Sequence, residues 1–376
     1  MIKKFIFILA SAVLAADAFA CTSAIVGASA NPSGRPILWK HRDTSSVDNK
    51  VEYIPSSGGS LAYVALFNAS DKHLNEAWIG MNEAGFAVMN TASYNIKDDK
   101  VPDSAMDKEG VIMTEALKTC RTVEDFRKLL DKWPRPMGVE ANFGVIDALG
   151  NGAYFETNNH SYVRYDLKDA PGDVLVRTNY SHSGRENEGF GFIREANACS
   201  LLAPYIDERT VTPEVLTEVL SRSFYHDLKK KDFQGSDQQW VVDQDFIPRY
   251  KSTATVAIEG CVPVSDLTSV TEGFVKQQYI MWTGLGYPPV SEIRAVRCMA
   301  EGVPQEVRGI LPEGQAPLSD KAKKLRDEVF PFRKGNGDKY LDIRKLYNDE
   351  GTGFAQQAME LNRETYRQEK KKRDER

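Results

Sequence analysis

The chain has 376 residues, of which 41% are hydrophobic and 27% are charged, and its formal net charge at pH 7 is -5. This composition predicts a globular protein with a core of its own, and the excess of acidic residues excludes the basic surface typical of nucleic-acid-binding proteins. The five histidines do not fall at metal-ligand spacing. P-loop, Gly-x-Ser-x-Gly and His-Glu-x-x-His motifs are missing from the sequence, and GFGF at 189–192 lacks the third glycine of a dinucleotide-binding loop. We therefore expect no metal, no cofactor and no nucleic-acid partner.

The first twenty residues have the three parts of a secretory signal. Lys3 and Lys4 precede an apolar run, and the segment ends in the small-x-small pattern Ala-Phe-Ala at Ala20. We expect cleavage after Ala20 and an exported protein, periplasmic or secreted, without stable membrane insertion. A cysteine directly after the cleavage site is also compatible with a lipoprotein signal. In that case Cys21 would carry a lipid that anchors the chain to a membrane.

Strand patterns open the mature chain and then alternate with blocks of helices. The predicted strands are 22–28, 35–40, 61–67, 76–81, 85–90, the two arms of 141–157 around a hairpin loop at 147–152, 161–166, 173–179, 252–260 and 277–286. The predicted helices are 109–133 with a second segment capped at Thr122, 193–206, 213–224 and a charged segment from about 320. Blocks of this kind favour an α+β fold with antiparallel sheets over a regular strand–helix alternation. No linker divides the sequence, so we expect one domain over 21–350 and a charged helical C-terminal extension over 351–376.

A cysteine freed by cleavage would carry its own acid–base pair. The α-amine titrates near ~7.7 to 8.0 and the thiol near ~8.5, so the amine can accept the thiol proton close to neutral pH. A nearby cation would favour the thiolate, and a carboxylate would orient the amine. The run KHRD, residues 40–43, offers both at the end of a strand that can pair back onto the segment after Cys21.

The segment CTSAIVGASANPSGRPILWKHRD resembles the mature start of the linear-amide C–N hydrolases. This N-terminal-nucleophile group contains choloylglycine hydrolases, penicillin V acylases and isopenicillin N acyltransferase-like proteins. The resemblance implies that Cys21 is the nucleophile and that Asp43 holds its α-amine. The arginine that the family has three residues before the aspartate is Lys40 here, and Arg42 offers a guanidinium from an adjacent position, so the sequence leaves the identity of the cation open.

Later segments extend the resemblance to about Pro289. GMNEAGFAVMNTAS and VLVRTNYSHSG are similar to two family segments, which implies that the backbone N–H of Asn90 and the side-chain amide of Asn179 form the oxyanion hole. The segment IPRYKSTATVAIEG is similar to a late strand of the family, which makes Arg249 the candidate for its distal active-site arginine.

The resemblance implies the four-layer αββα sandwich of the N-terminal-nucleophile hydrolases. It also implies hydrolysis of a small-molecule linear carboxamide, an N-acyl amine or N-acyl amino acid, through a thioester on Cys21, with activation by removal of the signal peptide. The sequence equally allows acyl transfer, a secreted cysteine dipeptidase that begins with Cys-Thr, and a non-enzymatic surface protein lipidated at Cys21. It allows a homo-oligomer as well.

Overall fold

The computed structural model describes residues 20–97, 100–235, 237–333 and 339–374. The predicted signal peptide, apart from Ala20, lies outside the described residues. The strands are β1 Thr22–Val26, β2 Ile37–Asp43, β3 Asn49–Ile54, β4 Tyr63–Asn68, β5 Ile79–Asn82, β6 Ala87–Ala92, β7 Ala141–Ile146, β8 Gly152–Thr157, β9 Tyr162–Asp166, β10 Val174–Arg177, β11 Tyr225–His226, β12 Lys231–Asp232, β13 Trp240–Val242, β14 Ser252–Glu259, β15 Ile280–Leu285, β16 Ile293–Val296 and β17 Tyr340–Asp342. The α-helices are α1 Glu109–Thr119, α2 Val123–Lys132, α3 Phe192–Asp207, α4 Glu272–Gln278, α5 Pro317–Val329, α6 Ile343–Leu346 and α7 Phe354–Asp374.

Two large antiparallel sheets form the centre of the fold. One has six strands in the order β10-β1-β2-β14-β15-β16, and the other is a seven-stranded meander from β3 to β9. Successive side chains of a strand point to opposite faces, and β1 follows this rule, because Ile25 packs between the sheets while Ala24 and Val26 pack in the outer cluster. Each sheet therefore has one face against the other sheet and one face for helices.

Helices cover both outer faces. Helices α1 and α2 pack on the seven-stranded sheet through Ile112, Leu117 and Phe126. Helix α3 packs on the six-stranded sheet through Ala198 and Leu202. The order of layers is helix, sheet, sheet, helix, so the predicted αββα sandwich is confirmed. No helix in the described part of the chain is long and apolar enough to cross a membrane.

The C-terminal third differs locally from the predicted pattern. The predicted helix 213–224 is a π-helix, Val215–Val219, that tightens into the 3-10 turn Leu220–Arg222. The predicted helical end contains the short strand β17, which pairs with β13 about a hundred residues earlier in the chain. A partner so distant leaves no signal in the local sequence, which explains the difference.

Helix α7 packs against the six-stranded sheet by one face. The ring centroids of Tyr366 and Trp282 lie 4.7 Å apart. The backbone N–H of Ile293 donates to Asn362 Oδ1 at 2.7 Å, and Arg297 pairs with Glu369 at 2.9 Å. The charged appearance of this segment therefore describes only its solvent-facing side.

Candidate active site

The β1–β2 hairpin places Cys21 beside the KHRD run. Thr22 pairs with His41 and Ser23 with Lys40, and Cys21 Sγ lies 3.8 Å from the backbone oxygen of Asp43. Cys21 is buried at one end of the space between the two sheets, where a cavity of about 250 Å³ opens. Four of the six predicted site residues, Cys21, Arg42, Asp43 and Asn90, line this cavity.

Lys40 and Arg42 project into the same cavity because they are two residues apart on β2 and share the face of the inward-pointing Leu38. Lys40 Nζ donates to the Trp78 carbonyl oxygen at 2.9 Å and to Asn90 Oδ1 at 2.8 Å. The sequence left the choice between the two cations open, and the structure brings both to Cys21.

The two cations differ in how firmly they hold their charge. Burial lowers the pKa of Lys40 to about 7, although the neighbouring Cys21 raises it. Burial also lowers the pKa of Arg42, to about 10, against the raising effects of Cys21 and Asp43. Arg42 donates to Asn49 Oδ1 at 2.5 Å and to Asn68 Oδ1 at 2.7 Å, so its guanidinium is fixed by neutral acceptors. Arg42 thus stays charged near neutral pH, whereas Lys40 gains or loses its proton there.

Asp43 is held by two side chains. Ser252 Oγ donates to Asp43 Oδ1 at 2.6 Å, and Arg249 Nε pairs with Asp43 Oδ2 at 3.1 Å. Burial lowers the pKa of Arg249, but the carboxylates of Asp43 and Asp243 outweigh it and raise the pKa overall. Arg249 therefore lies behind Asp43, outside the residues that line the cavity, and acts on the site through this carboxylate.

His41 joins the same cluster. Its Nε2 lies 2.8 Å from Ser252 Oγ. Burial lowers the pKa of His41 to about 4, so the imidazole is neutral at physiological pH. Ser252 has one hydroxyl hydrogen, which it gives to Asp43, so His41 Nε2 must be the donor to the serine. The cluster thus fixes the carboxylate without adding a second base.

Asn179 contacts Ala92, which lines the cavity. The Asn179 Nδ2 donates to the Ala92 backbone oxygen at 2.7 Å. Its Oδ1 accepts from Arg194 at 2.8 Å. Because a guanidinium only donates, the amide oxygen must face Arg194 and the amide nitrogen must face the other way. One amide hydrogen is used by Ala92, and Asn179 itself is fully buried and does not line the cavity.

Arg194 is a site residue that the sequence analysis missed. Its guanidinium donates to the Cys21 carbonyl oxygen at 2.5 Å, to Thr22 Oγ1 at 3.1 Å and to Asn179 Oδ1. Burial lowers its pKa to about 10, helped by the nearby charge of Arg249, so it remains charged near neutral pH. Arg194 thus links Cys21, the predicted nucleophile, to Asn179, the asparagine of the predicted oxyanion hole.

Three carboxyl groups also line the cavity, on Glu76, Asp107 and Glu109. Glu109 is buried at the first position of α1, and the backbone N–H of Glu140 donates to it at 3.2 Å. Burial raises the pKa of Glu109 to about 7, with backbone hydrogen bonds opposing the shift. The cavity is therefore strongly polar, with cations and carboxyl groups in its wall.

The described residues contain neither a cluster of metal ligands nor a disulfide bond. Within these residues no group of three or more histidine, cysteine, aspartate or glutamate side chains could hold a metal ion. All five cysteines are free, and only Cys199 is exposed.

One known family resembles part of the chain. Residues 60–198 match the family model described as acyl-coenzyme A:6-aminopenicillanic acid acyl-transferase, and this segment contains Asn90, Asn179 and Arg194. Over this segment the chain is similar to that acyl-transferase family. The matched segment does not include Cys21, Asp43 or Arg249.

Solved structures similar to this chain include the following three. An N-acylethanolamine-hydrolyzing acid amidase ortholog from Caenorhabditis elegans is 14% identical, with 69% of this chain and 98% of that chain covered and a TM-score of 0.40. A variant of conjugated bile acid hydrolase from Clostridium perfringens is 13% identical, with coverages of 74% and 92% and a TM-score of 0.43. Penicillin V acylase from Agrobacterium tumefaciens is 14% identical, with coverages of 74% and 86% and a TM-score of 0.41. Comparison with curated proteins gives no match.

Proposed function

We propose that the protein is an exported cysteine amidohydrolase that cleaves small linear carboxamides, N-acyl amines or N-acyl amino acids, through a thioester on Cys21. The observation that carries the proposal is the position of Cys21 Sγ at a cavity that also contains Lys40, Arg42 and Asp43. The signal-like residues 1–20 support export and activation by cleavage, because only cleavage would turn the Cys21 nitrogen into an amine.

The mechanism begins with the freed α-amine. The amine takes the proton of the Cys21 thiol, and Asp43 holds the resulting ammonium, while Lys40 and Arg42 stabilise the thiolate. The sulfur then forms a bond to the substrate carbonyl carbon, whose oxygen becomes an oxyanion. The second amide hydrogen of Asn179 and the backbone N–H of Asn90 stabilise that oxyanion.

Collapse of the tetrahedral intermediate breaks the carbon–nitrogen bond. The leaving amine takes its proton from the Cys21 ammonium, and the acyl group remains on sulfur as a thioester. Water attacks the thioester carbon, the α-amine accepts its proton, and the acid leaves as the thiol is restored. An amine in place of water would give acyl transfer by the same steps.

A dipeptidase is the second candidate, and the carboxyl groups of Glu76, Asp107 and Glu109 in the cavity wall favour it. A free α-ammonium group of a dipeptide would be stabilised by such carboxylates. Turnover of dipeptides with a free amino terminus, and none of N-acyl compounds, would establish the dipeptidase in place of the amidohydrolase.

The deciding experiment combines a mass measurement with a matched pair of cysteine variants. Mass spectrometry of the purified protein should find an unmodified N-terminal cysteine, and a lipidated one would overturn the proposal. Cys21→Ala should lower turnover of an N-acyl substrate panel by several orders of magnitude. Cys199→Ala removes the exposed thiol and should leave turnover unchanged. Adding an amine acceptor to the assay separates hydrolysis from acyl transfer by the product formed.

A further inference from the structure

The loop between β13 and β14, residues 243–251, carries Arg249 to the active site. Arg249 Nε donates to Asp43 Oδ2 at 3.1 Å, and the backbone N–H of Arg249 donates to Ser252 Oγ at 2.8 Å. The backbone N–H of Ser252 donates back to the Arg249 oxygen at 2.8 Å. One short turn thus presents both side chains that hold Asp43, so the position of this carboxylate depends on what fixes the loop.

Asp243, the first residue of the loop, joins its two ends. Its Oδ2 accepts a hydrogen bond from the backbone N–H of Tyr250 at 3.0 Å. Its own backbone N–H donates to the Lys339 oxygen at 2.8 Å, next to the pairing of β13 with β17. The carboxylate of Asp243 therefore ties the residue that follows Arg249 to the end of a paired strand.

The far side of the loop is held by the C-terminal third of the chain. The guanidinium of Arg326, in α5, lies 4.4 Å from the ring centroid of Tyr250, and its Nη1 donates to the Tyr250 oxygen at 3.3 Å. The ring centroids of Tyr250 and Phe330 lie 5.2 Å apart, edge to face. Tyr250 is thus fixed through its ring and its carbonyl, and the Asp243 carboxylate supplies the bond to its N–H.

Arg249 interacts with two carboxyl groups. Burial lowers the pKa of Arg249, but Asp43 and Asp243 raise it overall. Burial raises the pKa of Asp243 to about 7, while the Tyr250 N–H and the charge of Arg249 lower it. The charged and titratable groups that interact with Asp243 include Arg249, Asp43, Lys339 and Tyr287. Above neutral pH, Asp243 therefore adds a second negative charge near Arg249.

We propose that Asp243 is a positioning residue of the active site: it holds Arg249 in place and thereby sets the orientation of Asp43 and the charge behind Cys21. This inference rests on the proposed amidohydrolase function, in which Asp43 holds the Cys21 ammonium. Asp243 lies outside the residues that line the cavity, so it acts through Arg249 and does not touch the substrate.

The test of position compares two substitutions of Asp243. Asparagine keeps an oxygen for the Tyr250 N–H but has no charge, whereas alanine has neither. Asp243→Ala should lower kcat for N-acyl substrates by about tenfold to a hundredfold with little change in KM, because Arg249 is no longer held in place. Asp243→Asn should keep most of the wild-type kcat, because the loop stays closed.

The test of charge follows the alkylation of Cys21 by iodoacetamide as a function of pH, with mass spectrometry of the peptide that contains it. Loss of a negative charge favours the thiolate, so in Asp243→Asn the midpoint of the alkylation curve should move to lower pH by about half a unit. Cys199 is exposed and serves in the same sample as an internal reference whose midpoint should not move.

Asp147→Asn is the matched control. Asp147 is also a buried carboxylate that accepts a backbone N–H, that of Val123 at 3.0 Å. Its substitution should leave both kcat and the Cys21 midpoint unchanged.

The outcomes separate the role of Asp243 from the proposed function. An unmoved Cys21 midpoint in Asp243→Asn, or wild-type kcat in Asp243→Ala, would overturn the role of Asp243 and leave the amidohydrolase standing. An equal shift in Asp147→Asn would also overturn it, because any buried carboxylate would then have the same effect. If Asp243→Ala does not fold, the midpoint in Asp243→Asn decides. If the wild type turns over no N-acyl compound, the amidohydrolase fails, and the alkylation curve, which needs no turnover, still decides whether Asp243 acts on Cys21.

Discussion

Arg194→Lys tests whether one buried guanidinium organises the catalytic centre. Arg194 donates to the Cys21 carbonyl oxygen, to Thr22 Oγ1 and to Asn179 Oδ1. Lysine keeps the positive charge, but its ammonium is a single point and cannot span three acceptors as a planar fork does. The substitution therefore removes geometry while it preserves charge.

The magnitude follows from the contacts. A hydrogen bond to a charged group contributes about 1.5–3 kcal/mol, so the loss of two of the three would lower the free energy of unfolding by about 3–6 kcal/mol at most. The catalytic effect comes from Asn179, whose amide is free to turn once its oxygen has lost its donor. A missing oxyanion donor costs about 10²–10³ in rate, so we expect kcat to fall by that factor while KM changes little.

Arg222→Lys is the matched control, because Arg222 is equally buried but lies away from Cys21 and donates to the backbone oxygens of Pro289 and Ser291. Thermal unfolding gives the folded fraction, and titration of the reactive thiol gives the number of active sites. Both variants should lose stability, and only Arg194→Lys should lose kcat per active site. Full kcat in Arg194→Lys, or an equal loss in the control, would refute the role of Arg194.

Three further substitutions probe the cavity and the C-terminal helix. Glu109→Gln should raise the free energy of unfolding at pH 8 by up to about 3 kcal/mol, because the pKa of Glu109 is about 7 in the folded protein against 4.5 in the unfolded chain, so that folding penalises the charged carboxylate. The gain in stability should shrink as the pH falls from 7 to 4.5. An equal gain at pH 4 and pH 8 would contradict this origin. Asp43→Asn should lower kcat by about 10² or more and destabilise the fold by about 3–5 kcal/mol, since Arg249 loses its charged partner. A wild-type kcat in folded protein that still carries the asparagine would exclude a role for the carboxylate. Tyr366→Ala should lower stability by about 3 kcal/mol, as measured by denaturant unfolding, with kcat intact, because the ring packs on Trp282; unchanged stability would make α7 dispensable to the domain.

The hairpin that carries Cys21, the proposed nucleophile, could be predicted from the sequence because its signal is local. Alternation of side chains along β1 and β2 and the turn between them determine which residues face each other. The same alternation puts Lys40 and Arg42 on one face, two residues apart, so a choice between them was unnecessary. Asn90 and Asn179 needed the family resemblance, because an asparagine at a strand end is otherwise an ordinary turn residue.

Arg194 was missed because its contacts with Cys21 and Thr22 join residues 173 and 172 positions apart in the sequence. A signal for it does exist in α3. Ala198 and Leu202 face the sheet, and Arg194 occupies the same stripe one turn earlier. A charge in the apolar stripe of a helix must find acceptors in the core, and the carbonyl of Cys21 and the amide of Asn179 are those acceptors. Glu109 had no such signal, because an acidic residue in the first turn of a helix is common in any protein.

Lysine at position 40 makes the charge of the site depend on pH. With a pKa of about 7, Lys40 is charged in mildly acidic solution and neutral above it, whereas Arg42 stays charged throughout. The cavity thus loses one of its two positive charges over the range in which the thiol and the α-amine exchange their proton. A neutral lysine amine keeps two N–H groups. These are enough for its two acceptors, the Trp78 backbone oxygen and Asn90 Oδ1. Asn90 can therefore stay in place while the charge beside Cys21 disappears. The charge of Lys40 supports the proposed thiolate, whereas its N–H groups hold the Asn90 side chain at the proposed oxyanion hole, and only the charge is lost as the pH rises.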